Sequence, residues 1–121
     1  NVVNDVEAFF YSRMERWVDW GMALEQVVLD PGIGFGKTLA HNLELLASLK
    51  RFTKLGRPLL LGASRKSFLG ALSGAAVDDR LPGSIACVCH AVAAGIHIIR
   101  AHDVRETVQA IKTTEAIITS S

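Results

Sequence analysis

"DPGIGFGKT", residues 30–38, follows directly on the apolar run "QVVLD", residues 26–30. Its glycines, proline, aspartate and lysine suggest a phosphate loop, but the spacing excludes one. The P-loop pattern G-x-x-x-x-G-K-[ST], counted back from Gly36-Lys37-Thr38, needs glycine at position 31. That position is Pro31, which has no backbone N–H to offer a phosphate. The dinucleotide pattern G-x-G-x-x-G fails as well, because Lys37 stands where its last glycine belongs. What remains is a tight strand-to-helix turn. Glycine suits its backbone, and Asp30 closes the strand. An acid there points to the carboxyl end of a sheet, where α/β proteins bind ligands.

Outward from this turn the same unit recurs. Upstream, Val6, Phe9, Phe10, Met14, Trp17 and Val18 follow helical spacing, with Asn4 and Glu7 as an expected capping pair. Downstream, residues 38–53 read as a helix with Leu39, Leu43, Leu46, Leu49 and Phe52 on one stripe, stopped by Gly56. "PLLLG", residues 58–62, is a second strand, with proline at the position where strands tolerate it. A helix starts over residues 67–72, "SGAAVDDRLPG" interrupts the chain, and residues 84–94 form a small-residue helix ended by Gly95. "IHIIR", residues 96–100, is the third strand. Asp103 with Glu106 forms an expected cap for a last helix over 104–118, with Val104, Val108, Ile111 and Ile118 inward. The order α-β-α-β-α-β-α, with strands apolar on both faces, predicts a parallel sheet covered by helices. Strand ends at Asp30, Gly62 and Arg100 lie 32 and 38 residues apart. Such units match a (βα)8 TIM barrel of roughly 250 residues. The chain is therefore expected to be a partial barrel, about three βα units with a preceding helix, in one domain spanning 1–121.

Two more turns carry chemistry. "GASRKSFLG", residues 62–70, sets Arg65 and Lys66 before a helix start at Ser67, a combination suited to a carboxylate or phosphate. "IIRAHD", residues 98–103, ends the third strand on Arg100, with His102 in the following loop. A guanidinium, an imidazole and a helix start suit a phosphate-bearing ligand. His97 points to the other face of its strand and reads as a satisfied structural histidine. Each motif directly follows a strand of the same direction, so Asp30, Lys37, Arg65, Lys66, Arg100 and His102 are expected to converge on one face.

Composition excludes other classes. The chain has 121 residues, 13 Lys+Arg against 12 Asp+Glu, and half of its residues are hydrophobic. A net charge of +1 gives no bulk attraction to nucleic acid or an acidic membrane. No apolar run approaches the roughly 18 residues of a membrane span. No secretory signal is visible, and the chain opens on Asn1, so a longer parent is expected. Cys87 and Cys89 fit neither C-x-x-C nor a shared metal site, and read as small buried thiols in a reducing compartment. No Ser-His-Asp or Cys-His arrangement is evident.

Together, "DPGIGFGKT", "LLGASRKSFLG" and "IIRAHDV", in this order and spacing, resemble the last three strand-loop units of dihydropteroate synthase. The resemblance extends to the helix "FFYSRMERWVDWGM" and so covers nearly the whole chain. It implies a (βα)8 barrel that joins 6-hydroxymethyl-7,8-dihydropterin pyrophosphate to p-aminobenzoate, releasing pyrophosphate, in folate biosynthesis. It implies that Asp30 binds the amino-pyrimidine edge of the pterin and that Lys66 contacts the pterin near the aminobenzoate. Ser67 would receive the aminobenzoate carboxylate, and Arg100 and His102 would hold the pyrophosphate. Gly34 and Phe35 would form pocket wall, with Arg65 beside the pterin ring. Lys66, Arg100 and His102 would carry the catalysis, through positioning and charge stabilisation. The resemblance further implies Mg2+, with its protein ligand outside this chain, a cytoplasmic location, sulfonamides as inhibitors, and a homodimer through the last helices when complete. The family's "TPDSF"-like and "STRP"-like loops do not occur in these residues. The alternatives are a pterin-binding methyltransferase domain, which "SRKS" and "RAHD" disfavour, a nucleotide module, which Pro31 disfavours, and a non-catalytic half-barrel. Three strands with open edges predict that the isolated chain associates or is marginally stable, and is inactive alone.

Overall fold

The computed structural model describes residues 1–120. Helix α1, Val2–Asp19, is capped by Asn1, whose side chain accepts from the Asn4 N–H. The expected cap at Asn4 is thus one turn late. Asn4 and Glu7 are used otherwise: Arg51 donates to both Glu7 carboxylate oxygens, at 2.7 and 2.8 Å, and to Asn4 Oδ1. That fork ties α1 to the helix carrying Arg51, and it holds the Glu7 carboxyl below the usual range, chiefly through the hydrogen bond.

The expected helix over 38–53 is two helices, α2 at Leu39–Ala47 and α3 at Leu49–Thr53, divided at Ser48. Thr38 caps α2 by accepting from the His41 N–H. The buried stripe is Asn42, Leu45, Leu46, Leu49 and Phe52, while Leu39 and Leu43 are exposed. Phe52 is fully buried and meets Phe10 of α1 edge-on at 5.8 Å, an arrangement favoured by the ring quadrupoles.

The strands are shorter than their apolar runs. The first contributes a single parallel bridge, Leu29 to Leu59. Strand β1, Leu60–Leu61, pairs in parallel with β2, Ile98–Ile99, with Leu60 opposite Ile98. Backbone bonds run across all three segments, from Leu60 N to Leu29 O at 2.8 Å and from Arg100 N to Leu61 O at 2.9 Å. Val27, Leu29, Leu59 and Leu61 are buried, whereas Val28 is 47 % and Ile98 39 % exposed. One face of the sheet is therefore packed and the other open, which is the geometry of a barrel wall whose inner face awaits further strands.

Helix α4, Ser67–Ser73, ends at Gly74 in the left-handed conformation. Helix α5, Leu81–Ala94, starts three residues earlier than expected, with Pro82 in its first turn, and ends at Gly95. Helix α6, Val104–Thr119, packs on α5 but buries only Thr107. The residues expected inward are not buried: Val104 is 62 % exposed, and Val108 and Ile118 are also open. Cys87 and Cys89 are half-buried and unlinked, and burial pushes the Cys87 thiol up. Among the described residues no helix is long and apolar enough to cross a membrane.

Candidate functional site

Because the three strand segments run the same way, the turns after Asp30, Gly62 and Arg100 emerge at one end. A cavity of 290 Å³ opens there, lined by Gly62, Ser64, Lys66, Arg100, Ala101 and His102. Lys66 is the junction of the three turns. Its ammonium donates to the Ile33 carbonyl and lies 4.4 Å from the centre of the Phe35 ring. Burial depresses its pKa first, the Arg100 charge second, and Lys37 adds to both, while Asp30 acts in the opposite sense. Lys66, in the second loop, thus feels charges from the first and the third.

The glycine turn owes its shape to named contacts. Asp30 Oδ1 accepts from the Gly32 N–H at 2.8 Å, closing a side-chain turn. Gly34 has φ of +86°, and its N–H donates to Asn42 Oδ1 at 2.8 Å. A Cβ at Gly34 would come within 2.8 Å of Lys66 Cδ, so glycine is what lets the lysine cross over the turn. Phe35 is 64 % exposed, a wall that still has an open face. Lys37, expected to converge on the site, instead folds back: its ammonium donates to the carbonyls of Gly32 at 2.8 Å and Phe35 at 3.0 Å. It clamps the turn.

At the second turn, Gly62 leaves room for Arg100, since a Cβ there would overlap its guanidinium. Arg65 is in the left-handed region, at φ of +57°. Its N–H donates to the buried Ser84 hydroxyl at 2.9 Å, and its carbonyl accepts from Arg80 at 3.0 Å. Such a conformation persists only where surroundings impose it. The Arg65 side chain forks onto both Asp103 oxygens, at 2.8 and 3.2 Å. Asp103 therefore does not cap α6 through its side chain, contrary to expectation, but joins the second turn to the third. The Arg65 hydrogen bond holds its carboxyl below the usual range. Ser67 stands at the start of α4, exposed, and outside the lining of the cavity. His97 lies away from the cavity; its Nδ1 accepts from the Leu59 N–H.

Asn42, Ser64, Arg80 and Ser84 escaped the sequence reading. Asn42 had a signal, being polar at the spacing that puts it in line with Leu45 and Leu49. The other three had none, since their roles depend on which loop lies beside which.

Among the described residues no group of three or more His, Cys, Asp or Glu side chains is placed to hold a metal ion, and Asp30 has the Lys66 charge within reach.

A sequence profile of the family described as "Pterin binding enzyme" matches residues 1–102. The dihydropteroate synthase of Escherichia coli is 45 % identical over 120 residues, which is 99 % of this chain and 43 % of that protein. That of Haemophilus influenzae is 42 % identical over 116 residues, covering 96 % of this chain and 42 % of its own length. The Yersinia pestis dihydropteroate synthase, solved in complex with a sulfonamide drug, superposes with a TM-score of 0.96 at 44 % identity, covering all of this chain and 44 % of that one. The chain spans less than half the length of these relatives, and its fold is the corresponding part of a (βα)8 barrel. With its profile match running from the first helix through His102, this chain belongs to the pterin-binding enzyme family.

Proposed function

We propose that residues 1–121 are the C-terminal part of a single barrel domain of a dihydropteroate synthase. The complete protein would condense 6-hydroxymethyl-7,8-dihydropterin pyrophosphate with p-aminobenzoate, in the cytoplasm, and be a target of sulfonamides. The observation that carries this reading is the placement of Lys66 among Asp30, Arg100 and Phe35. A pterin offers two donors on its amino-pyrimidine edge, which the Asp30 carboxylate matches. The leaving pyrophosphate is an anion, which Arg100 and His102, both lining the cavity, suit. Charge building on that group as its bond to the methylene carbon breaks is stabilised by the Arg100 guanidinium and an imidazole donor from His102 already in place. The aminobenzoate nitrogen then attacks the carbon, with Lys66 and Phe35 alongside and Ser67 taking the carboxylate. Arg65, held to Asp103, supports the pterin side by fixing its loop. No side-chain nucleophile is needed. Mg2+ enters only through ligands outside these residues, and no step above uses it. The exposed apolar residues of α6 support a homodimer in the complete protein.

A pyrophosphate-release assay on the intact protein with both substrates tests this reading. Turnover is expected, with Lys66→Ala and Arg100→Ala each reducing kcat/KM at least about a hundredfold, the scale of losing a preorganised charge contact. Turnover unaffected by either change would refute it.

A further inference from the structure

Ser64 lies three residues beyond β1 and His102 three beyond β2, on the paired strand ends. One hydroxyl makes two bonds to one residue: Ser64 Oγ accepts from the His102 backbone N–H at 3.2 Å and lies 2.9 Å from His102 Nδ1. The backbone N–H can only donate, so it occupies a lone pair of the oxygen. The hydroxyl has a single proton, and Nδ1 is the acceptor within its reach among the described residues. If Nδ1 itself carried the proton in the neutral ring, the oxygen would accept twice and the hydroxyl proton would have to turn to solvent. The arrangement that pairs the hydroxyl proton within the protein has Ser64 O–H donating to Nδ1 and the imidazole N–H at Nε2.

We propose that Ser64 is a positioning residue for His102. It fixes the ring against the second turn and selects the tautomer that offers an Nε2–H donor to an anionic oxygen in the cavity. This rests on the pyrophosphate role proposed for Arg100 and His102. Imidazole tautomer is set in general by what the other nitrogen bonds, and here that partner comes from a different loop. Half-buried Ser64 acts through His102, to which both of its hydroxyl's hydrogen bonds run.

The test uses the intact protein and two readouts. Two-bond proton–nitrogen spectra, with His102 assigned by comparison with His102→Gln, report the tautomer. Titration with inorganic pyrophosphate reports affinity. The wild type is expected to show the Nε2–H form; Ser64→Ala is expected to lose that preference and bind pyrophosphate roughly three- to tenfold more weakly, the worth of one hydrogen bond. Ser64→Thr, which keeps the hydroxyl, is expected to restore both, a rescue that a general loosening of the loop would not give. A wild-type ring protonated at Nδ1, or a Ser64→Ala chain with unchanged tautomer and affinity, overturns the proposal. Absence of pyrophosphate binding in the wild type would instead count against the site's proposed function, while a tautomer that shifts in Ser64→Ala and returns in Ser64→Thr would still support positioning.

Discussion

Gly34→Ala and Gly36→Ala differ in a way that isolates the contact between the first turn and Lys66. Both glycines have positive φ, +86° at Gly34 and +60° at Gly36. An alanine at either position is strained by about 1–2 kcal/mol, from Cβ against the following carbonyl oxygen. At Gly36 nothing lies within 4 Å of the added Cβ, so the cost ends there. At Gly34 the Cβ meets Lys66 Cδ at 2.8 Å, and the lysine must shift. Moving it weakens the contact of the ammonium with the Phe35 ring, worth ~0.5–1 kcal/mol at a partly open site. It also disturbs the bond to the Ile33 carbonyl. Gly34→Ala should therefore cost ~1 kcal/mol more than Gly36→Ala. In urea, with slopes of about 1–3 kcal/mol per molar for small proteins, the two midpoints should differ by roughly 0.5 M. Equal midpoints, or a larger loss for Gly36→Ala, would mean that Lys66 does not cross over the first turn.

Three further outcomes follow from the same contacts. Asn42→Ala leaves the Gly34 N–H without its buried acceptor and should lower stability by about 1–3 kcal/mol, measured by urea unfolding. Lys66 has its folded pKa below that of an unfolded lysine, so folding disfavours its charge at neutral pH. Stability should then rise with pH on the alkaline side as the folded group loses its proton first, and Lys66→Met should flatten that rise. Asp103 and Glu7 have the opposite sign: their folded values lie below the unfolded ones, so their contribution is present above the unfolded value and is lost as pH falls through the folded value. Asp103→Asn should flatten the acid limb of a pH–stability curve, and Asp103→Asn with Glu7→Gln should flatten it more. An acid limb identical to that of the wild type would show that these pairs do not form in solution.

Sequence pattern located each turn because its signals are local: an apolar run, an acid or arginine at its end, and glycine where the backbone turns. It located Asp30, Lys66, Arg100 and His102 at one end because parallel strands leave no alternative. It failed where a side chain had two suitors. Asp103 resembles a cap by spacing, but Arg65 is brought within 2.8 Å by the neighbouring loop and takes the carboxylate. Lys37 resembles a ligand cation, but two carbonyls of its own turn are nearer. The stripe of α2 was displaced because leucines stand at both candidate faces, and only packing against Phe10 and β1 decides between them. Val104, Val108 and Ile118 of α6 are open: periodicity shows that an apolar face exists but not whether this chain covers it.

The central claim, that the three turns share one ligand, is most directly tested by backbone amide shifts of the intact protein titrated with 6-hydroxymethyl-7,8-dihydropterin pyrophosphate. Residues 30–37, 62–67 and 100–103 are expected to move together along one saturation curve. Shifts confined to a single turn, or falling near Leu24 and Leu55 at the opposite end of the strands, would contradict it.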